Sequence, residues 1–396
     1  MEQPLGRKEV ASMLQTEQSS IMKTYNRFPL TIVKGEGSYV YDELGTSYLD
    51  FTSGIATCNL GHQPPRVKQA LQQQLDQLWH CSNLFHIPIQ EKLAQWLTSH
   101  SVLDEVFFCN SGTEANEAAI KLVRKATGKD TIVTFRQSFH GRTLGALAAT
   151  GQPKLQESFG TMLDGFVYLP FNEVEALDQL EDIQPGAVML ELVQGEGGVR
   201  PAEQVWVDKL VELCKTLEIL LVVDEVQTGI GRTGTLFSYE QYDIEPDVIT
   251  LAKGLGSGVP IGAMLAKHAV STAYTPGDHG STFGGNPLAS SAALATVEEV
   301  EKTLAHGKRA GEQLVNELLE LSSTYDEIQE VRSRGLIVGI QVEDASLYVQ
   351  KLRDRGILVL TAGPTVIRVL PPLNVKKKEV KRFIEGFAHV LEEVSS

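Results

Sequence analysis

The chain has 396 residues, of which 42% are hydrophobic and 21% charged, and its formal net charge is −15 at pH 7. This composition is typical of a globular protein with two or three cores, since a single core stops growing at roughly 250–300 residues. The acidic balance argues against a nucleic-acid partner, because such surfaces rely on Lys and Arg to neutralise phosphates. Anionic ligands would need local arginines that oppose the overall negative field.

Several sequence features together predict the cellular location of the protein. The first 20 residues contain no apolar core of a signal peptide, and no apolar run approaches the roughly 20 residues of a membrane span. The nine histidines show no metal-binding spacing, and the cysteines, which are far apart, are Cys58, Cys81, Cys109 and Cys214. We therefore expect a cytoplasmic protein with reduced thiols and no bound metal, membrane or nucleic acid.

Short apolar runs alternate with amphipathic stretches through the middle of the chain. The stretches at Glu114–Ala126 and Val205–Thr216 predict helices that lie between strands. Strands spaced by helices indicate βαβ units and a mostly parallel sheet, hence an α/β fold. The predicted strands are Val106–Cys109, Thr131–Phe135, Gly165–Leu169, Ala187–Leu192, Ile219–Val223, Asp247–Leu251 and Gly262–Ala266.

After Phe283 the pattern changes to that of a smaller α+β unit. Asn286 is a predicted N-cap, and Pro287 is the predicted first residue of a long helix. The later elements predicted are strands at Leu336–Val342, Ile357–Leu360 and Val366–Leu370, and a helix at Lys377–Val394. We expect a large domain at 60–283, a small α+β domain at 284–396, and an N-terminal segment at 1–59 that packs with the small domain.

Polar residues that follow predicted strands are site candidates, because ligands bind beyond the carboxyl ends of strands in open α/β sheets. Ser111 with Glu114 fits a capping box, and the N–H groups of Gly112 and Thr113 at that helix start would suit a phosphate. Taken alone, an ordinary helix start explains this stretch equally well.

The ends of the predicted strands Thr131–Phe135 and Ile219–Val223 are followed by an aromatic residue with an arginine and by an acid, respectively. Phe139 would lie against an aromatic ligand and Arg142 would bind a carboxylate, although a loop Phe more often packs on a core edge and a loop Arg is more often solvated. Asp224 ends an apolar run, so its carboxylate needs a partner. A helix cap, an ion pair or the protonated ring nitrogen of a ligand would each satisfy it.

The stretch Gly229–Gly234, GIGRTG, matches the dinucleotide fingerprint GxGxxG. Its glycines begin five residues after Asp224 instead of in the first turn after the strand, and no acid follows a further strand at the required distance of roughly 20 residues. An NAD-dependent oxidoreductase is therefore a disfavoured alternative of a different class.

Lys253 follows the run Asp247–Ala252, 29 residues after Asp224, and precedes Gly254 and Gly256. Pyridoxal phosphate needs a Schiff-base lysine, an acid on its ring nitrogen, a helix N-terminus for its phosphate and an apolar face for its ring. A lysine at a strand end is partly desolvated, which makes its amine nucleophilic. The strand-end residues taken together therefore indicate this cofactor.

Four motifs, SGTEANE, FHGRTLGAL, LVVDEVQTGIGRTG and ITLAKGLGSGVPIGAM, resemble those of the class III, or ornithine-type, aminotransferases of PLP fold type I. The likeness runs from about Tyr25 to Lys378, and YNRFP, SGIATCNLGH, STFGGNPLA and IRVLPPL are most similar to the acetylornithine branch. The resemblance implies transfer of the δ-amino group of N2-acetylornithine to 2-oxoglutarate in arginine biosynthesis. The products would be N-acetylglutamate 5-semialdehyde and glutamate, and the enzyme would be a homodimer with shared active sites.

The resemblance also implies which residues hold the cofactor. Lys253 would carry it and move the reaction's proton, Asp224 would pair with the ring nitrogen, and Gln227 would bind the phenolic oxygen. Phe139 and Val226 would enclose the ring.

The phosphate and the dimer contact follow from the same resemblance. Ser111, Gly112 and Thr113 would bind the phosphate. Thr282 would reach the partner's cofactor, and Ser281 beside it would contribute to the substrate site.

The substrate residues are implied in the same way. Arg142 would bind the donor's α-carboxylate, and Arg368 the carboxylate next to the reacting carbon of 2-oxoglutarate or glutamate. Glu196 would mask Arg368 while the donor is bound, and Tyr25 would contact substrate. Ile55 stands where ornithine aminotransferases carry a tyrosine, which weighs against unacylated ornithine. Succinylornithine or another ω-amino donor remains an alternative substrate, and a binding protein without activity is disfavoured by the intact site.

Overall fold

The computed structural model describes residues 20–395. The strands are β1 Ile32–Glu36, β2 Tyr39–Asp42, β3 Ser47–Asp50, β4 Glu105–Cys109, β5 Ile132–Phe135, β6 Phe166–Leu169, β7 Ala187–Leu190, β8 Val193–Gln194, β9 Arg200–Pro201, β10 Leu220–Asp224, β11 Val248–Leu251, β12 Gly262–Ala266, β13 Glu330–Arg334, β14 Ile337–Gln341, β15 Ile357–Leu358, β16 Leu360–Thr361 and β17 Val366–Val369.

The helices connect these strands and cover the sheets. They are α1 Ser53–Ala56, α2 Pro65–Leu75, α3 Pro88–Ser99, α4 Gly112–Thr127, α5 Leu144–Ala149, α6 Pro153–Gln156, α7 Gln179–Ile183, α8 Gln204–Thr216, α9 His268–Ser271, α10 Pro287–Ser322, α11 Ala345–Asp354 and α12 Lys377–Ser395. Short 3₁₀ helices lie at Glu175–Asp178, Ser238–Tyr242 and Lys253–Leu255.

A seven-stranded sheet in the order β4-β12-β11-β10-β7-β5-β6 forms the centre of the molecule. The pairs β10–β11, β10–β7, β5–β7 and β5–β6 are parallel, and only β12 runs antiparallel to its neighbours. This arrangement confirms the predicted α/β fold with a mostly parallel sheet, and all seven predicted strands of this region are present. The strands are mostly apolar because helices cover both faces of the sheet.

The side chains of β10 point alternately to the two faces of the central sheet and pack in different apolar clusters. Val222 packs with α4 in one apolar cluster, whereas Leu221 and Val223 pack with Trp206 of α8 in another. Full burial of each such aliphatic side chain contributes about 1.5–3 kcal/mol, so this strand is firmly anchored. Its carboxyl end, Asp224, is consequently a rigid place for a polar group.

Two smaller sheets flank the central one. In the order β1-β2-β3-β15, the N-terminal strands pair with each other and β3 pairs in parallel with β15 of the C-terminal region. In the order β13-β14-β17-β16, all pairs are antiparallel. The division at 59/60 and 283/284 stays a prediction, and residues 1–19 of its first segment lie outside the described residues.

In the C-terminal region, the helix α11 was not predicted, and two strands differ from the sequence prediction. The predicted single strand Ile357–Leu360 is divided at Val359, so that β15 joins the N-terminal sheet and β16 pairs with β17. Neighbouring apolar residues therefore serve two sheets, which an apolar run cannot reveal. Strand β13, EVRSR, was not predicted, because its charged residues give no apolar run and its register with β14 defines it.

The long helix α10 begins as predicted. The Asn286 side chain caps it by accepting a hydrogen bond from the Ala289 N–H at 2.9 Å, and Pro287 occupies the first turn. Within residues 20–395, no helix is both long and apolar enough to span a membrane.

Candidate active site

A cavity of about 430 Å³ lies at the carboxyl ends of the central strands. Asp224 comes from the end of β10, Lys253 from the segment after β11, and Glu191 from the segment after β7. The start of α4 and the loop after β5 supply Gly112 and Phe139. Parallel strands thus bring together side chains that are far apart in the sequence, as expected for this fold.

Lys253 is half-buried and has a left-handed backbone, with φ of 41°. Such a conformation is unfavourable for a residue with a side chain and persists only where the surroundings impose it. Among residues 20–395 its amine makes no hydrogen bond or ion pair, and burial lowers its pKa against the opposing effect of Glu196. Lys253 is therefore an available amine with an increased fraction in the neutral, nucleophilic form.

The Asp224 carboxylate is fixed by three donors. Its Oδ2 atom lies 2.7 Å from His140 Nδ1 and accepts from Asn116 Nδ2 at 2.8 Å, while its Oδ1 accepts from the Val226 N–H at 2.9 Å. Asp224, His140 and Asn116 are all buried. This network orients the carboxylate at the cavity wall, and it satisfies the requirement for a partner that the sequence raised.

His140 and Glu191 add two further buried titratable groups. Burial disfavours charge on His140, but the hydrogen bond to Asp224 outweighs it and raises the pKa of His140. Burial raises the pKa of Glu191 to about 7, and the charge of His140 opposes that shift. The Oε2 atom of Glu191 accepts a hydrogen bond from the Phe139 N–H at 2.9 Å. Glu191 therefore positions the backbone that carries Phe139.

The N-terminus of α4 forms another wall of the cavity. Ser111 is the N-cap, and its Oγ accepts from the Glu114 N–H at 3.3 Å, as predicted. The second half of the capping box differs: Glu114 Oε2 accepts from the Asn110 N–H at 2.8 Å, because the Asn110 side chain also donates to it. The first N–H groups of α4 have no partner within the helix, so they are available to an anion.

Gly112 is required by close packing at this helix start. A Cβ atom there would lie 2.6 Å from Val226 Cγ1, so a larger residue would separate α4 from the segment after β10. Thr113 Oγ1 is 2.8 Å from Thr143 Oγ1, which orients its hydroxyl. The structure thus brings Ser111, Gly112, Thr113 and Val226 to one cavity.

A buried arginine in the sheet β13-β14-β17-β16 lies beside the cavity. Arg368 in β17 is 2% exposed, and its Nη1 lies 2.6 Å from Glu196 Oε1 and 3.3 Å from Gln227 Oε1. Burial raises the pKa of Glu196, but the charge of Arg368 outweighs burial and lowers it. Glu196 and Gln227 both line the cavity, so their pairing with Arg368 lies at its edge.

Phe139 and Arg142 lie together in the loop after β5. Both line the cavity, and the Arg142 guanidinium carbon lies 5.5 Å from the centre of the Phe139 ring. Arg142 is exposed at its side chain, so it is accessible to a carboxylate from solvent. This placement is compatible with the expected role of each residue.

Besides Arg368, which lies at its edge, three predicted residues do not line this cavity. Ser281 Oγ accepts hydrogen bonds from the Asn110 side chain and the Gly284 N–H, while Thr282 is exposed. Tyr25 is 75% exposed. Their assignment to the site stays a prediction.

His140, Asn116 and Glu191 were missed in the sequence. His140 directly follows Phe139, so a histidine next to a candidate ring-binding residue was an available signal. Asn116 is a polar residue among Ala115, Ala119 and Ile120 on the buried face of α4, and a buried amide of this kind needs a partner.

A sequence model of the family described as Aminotransferase class-III matches residues 20–391. The chain belongs to the class-III aminotransferases. This membership confirms the enzyme class and the cofactor predicted from the strand ends, pyridoxal phosphate.

Individual members of the family cover nearly the whole chain. The acetylornithine aminotransferase of Oceanobacillus iheyensis is 52% identical over 381 residues, covering 94% of this chain and 96% of its own. The N-acetylornithine aminotransferase of Stenotrophomonas maltophilia has 36% identity and a TM-score of 0.82, covering 94% and 98%. An ornithine aminotransferase of Toxoplasma gondii, with partial occupancy of PLP at its active site, has 30% identity and a TM-score of 0.92, covering 98% and 97%.

The cavity of this class-III aminotransferase suits the chemistry of its cofactor. The unpaired Lys253 amine suits the cofactor's carbonyl, and the fixed Asp224 carboxylate suits a protonated ring nitrogen. The start of α4 suits the phosphate, and Val226 and Phe139 supply apolar side chains to the lining of the cavity. The residues present therefore fit the group.

Proposed function

We propose that this aminotransferase transfers the δ-amino group of N2-acetylornithine to 2-oxoglutarate, giving N-acetylglutamate 5-semialdehyde and glutamate. The observation that carries the proposal is the Arg368–Glu196 pair at the edge of the Lys253 cavity. A site with this pair can accept a donor without a carboxylate next to the reacting carbon, and then an acceptor that has one. The 52% identity to an acetylornithine aminotransferase supports the choice of donor.

Each half-reaction uses a different carboxylate site. The α-carboxylate of N2-acetylornithine binds the exposed Arg142. The part of the donor beside Arg368 is then its uncharged methylene chain near the δ-carbon. Glu196 neutralises Arg368 during this half. When 2-oxoglutarate enters, its α-carboxylate replaces Glu196 on the guanidinium, whose planar fork can bind both oxygens.

When bound, pyridoxal phosphate supplies an electron sink for the carbon that loses its proton. Lys253 Nζ takes that proton and returns it at the end of the transfer, which its lowered pKa favours. Asp224, fixed by His140 and Asn116, would hold a proton on the ring nitrogen of the bound cofactor. Phe139 and Val226 would exclude water from the ring.

Ile55 supports the acylated donor over free ornithine. It stands at the position of a tyrosine that helps ornithine aminotransferases bind ornithine, and its aliphatic side chain cannot form a hydrogen bond in that tyrosine's place. Succinylornithine presents the same δ-amine and α-carboxylate, so it is the nearest competing donor.

A panel of amino donors with 2-oxoglutarate, ranked by kcat/KM, tests this function. The panel contains N2-acetylornithine, N2-succinylornithine, ornithine and 4-aminobutyrate. We expect the acetyl compound to rank first and free ornithine to rank at least about tenfold lower. A higher kcat/KM for ornithine or 4-aminobutyrate than for N2-acetylornithine would contradict the proposal. A higher kcat/KM for N2-succinylornithine would mean that the preferred donor carries a succinyl group instead of an acetyl group.

We further infer a cytoplasmic homodimer with shared active sites. The segment that carries Trp79, Leu84 and Phe85 contacts the turn that carries Thr282 and Phe283, through Asn83. Leu84 is 89% exposed and Phe85 67%, and Trp79 and Phe283 are also exposed. Exposed apolar residues clustered in this way favour a partner surface. A second copy on this surface would explain why Thr282 lies outside its own chain's cavity.

A further inference from the structure

Arg232, in the loop 229–234, is fully buried and forms no ion pair with any carboxylate of residues 20–395. Its Nη1 donates to the carbonyl oxygens of Leu336, at 2.9 Å, and Pro371, and its Nη2 donates to Asn59 Oδ1 at 2.7 Å. Burial lowers the pKa of Arg232. A buried cation held only by neutral oxygens is costly, so a specific role must justify its position.

The acceptors of Arg232 lie in three separate parts of the chain. Asn59 lies in the N-terminal region, Leu336 immediately precedes β14, and Pro371 follows β17. The Leu336 N–H also donates to the Arg232 carbonyl at 2.9 Å, so the contact with β14 is reciprocal. Because β17 carries Arg368 three residues before Pro371, the guanidinium holds the end of the strand that presents the substrate arginine.

Asn59 extends the contact to the catalytic lysine. Its Nδ2 donates to the Ile230 carbonyl at 2.6 Å, and the same atom would lie 2.1 Å from a Cβ placed on Gly254. The Asn59 amide therefore packs directly on the backbone of the residue after Lys253. That backbone needs support, because Lys253 has an unfavourable left-handed φ.

We propose that Arg232 is a positioning residue that fixes Lys253 relative to Arg368, through Asn59 and Gly254 on one side and Pro371 on the other. Arg232 does not line the cavity. The proposal rests on the proposed roles of Lys253 and Arg368. The guanidinium is suited to this task because its planar fork reaches several acceptors at once, whereas an ammonium is a single point.

Arg232→Lys keeps the charge but cannot span the three acceptors. We expect faster hydrogen exchange in two segments of the holoenzyme, 253–258 and 366–373, together with a kcat/KM for 2-oxoglutarate lower by about tenfold or more, since small misplacements of reacting groups are costly. The matched control is Arg124→Lys, whose side chain also donates to a main-chain carbonyl, that of Asp164, but contacts neither segment. The control should exchange and react like the wild type.

Asn59→Ala separates the two sides of the proposed link. It removes the contact with Gly254 while Arg232 keeps its bonds to Leu336 and Pro371. We expect faster exchange at 253–258 alone, a lower kcat, and a KM for 2-oxoglutarate within twofold of wild type. This split would not arise from general destabilisation, and it decides the proposal even if Arg232→Lys does not fold.

Three results would overturn the proposal. The first is hydrogen exchange in Arg232→Lys that becomes faster evenly along the chain. The second is hydrogen exchange in Arg232→Lys that is unchanged at both 253–258 and 366–373. The third is a wild-type kcat in Asn59→Ala. A wild-type protein that fails to use N2-acetylornithine would instead refute the proposed function, and the exchange pattern would still decide the role of Arg232.

Discussion

Asp224 Oδ2 and His140 Nδ1 are 2.7 Å apart in a fully buried pair at the end of β10. Burial disfavours charge on His140, but the hydrogen bond to Asp224 outweighs burial and raises the pKa of His140, which favours the protonated imidazole. Asn116 donates to the same oxygen and leaves the carboxylate little freedom to rotate. A carboxylate held in place by these hydrogen bonds suits a protonated ring nitrogen.

Asp224→Asn should bind the cofactor but reduce kcat by about a hundredfold or more, which corresponds to about 3 kcal/mol in the barrier. The replacement amide is uncharged, so it cannot hold the ring nitrogen protonated. If its NH2 group takes the place of the oxygen that contacts His140 and Asn116, the favourable hydrogen bond from Asn116 is lost as well. Steady-state kinetics and cofactor content measure the two effects. The control is Asp247→Asn, since Asp247 accepts from the Leu221 N–H at the opposite end of the same strands. Activity within a few-fold of wild type in Asp224→Asn would contradict the ion pair.

Glu196→Ala should slow the half-reaction with N2-acetylornithine more than the half-reaction with glutamate, by about 1–3 kcal/mol. Without Glu196, the buried Arg368 charge faces the uncharged part of the donor, whereas glutamate brings its own carboxylate. Single-turnover kinetics measures each half separately, and Glu196→Gln keeps the shape without the charge. Equal losses in the two halves would show that Glu196 does not act as a switch.

The His62–Asp50 pair predicts a pH-dependent stability outside the active site. The hydrogen bond from His62 to Asp50, 2.8 Å long, is the main cause that raises the pKa of His62 to about 10. A raised histidine pKa contributes stability that is complete below the unfolded value of about 6.5 and is lost as the pH rises through about 10. His62→Gln should therefore lower the unfolding free energy by about 1.5–3 kcal/mol near pH 6 and by less above pH 10.

Thermal unfolding midpoints at both pH values measure this difference. The control is His389→Gln, because the His389 side chain on α12 is 66% exposed and should not affect the midpoint at either pH. A His62→Gln effect of the same size at the two pH values would show that packing, and not protonation, stabilises this contact.

The proposed dimer predicts that a charge on the exposed apolar surface removes activity. Phe85→Glu should dissociate the dimer and reduce turnover, because Thr282 can then no longer reach the partner's site. Sedimentation velocity and kcat measure both effects. Val205→Glu is the control, since Val205 is 60% exposed at the start of α8, outside this surface. A fully active monomer would contradict the shared site.

Much of the fold was predictable because its central strands are buried on both faces and give continuous apolar runs. The two C-terminal differences have the opposite cause. Strand β13 carries charged residues and is defined by its pairing with β14, and the division at Val359 is set by contacts with β3 and β17. These are contacts between distant parts of the chain, so local patterns contain no record of them.

The same distinction applies to the site. Asp224 and Lys253 were predictable because each follows an apolar strand, and the fold brings strand ends together. His140 and Asn116 reach Asp224 across 84 and 108 residues, and their roles depend on side-chain directions that no spacing shows. Arg232 is a further example. The sequence disfavoured a dinucleotide loop at GIGRTG but gave its arginine no role, whereas the structure buries Arg232 against Asn59 and Pro371.

Borohydride reduction of the holoenzyme followed by peptide mapping tests the central claim most directly. Reduction makes the bond between the cofactor and its lysine permanent, so the modified peptide identifies the residue. We expect the pyridoxyl group on Lys253 and no turnover in Lys253→Ala, with Lys267→Ala, which removes a lysine after β12, active as a control. A pyridoxyl group on any other lysine, or an active Lys253→Ala variant, would contradict the assignment of the active site.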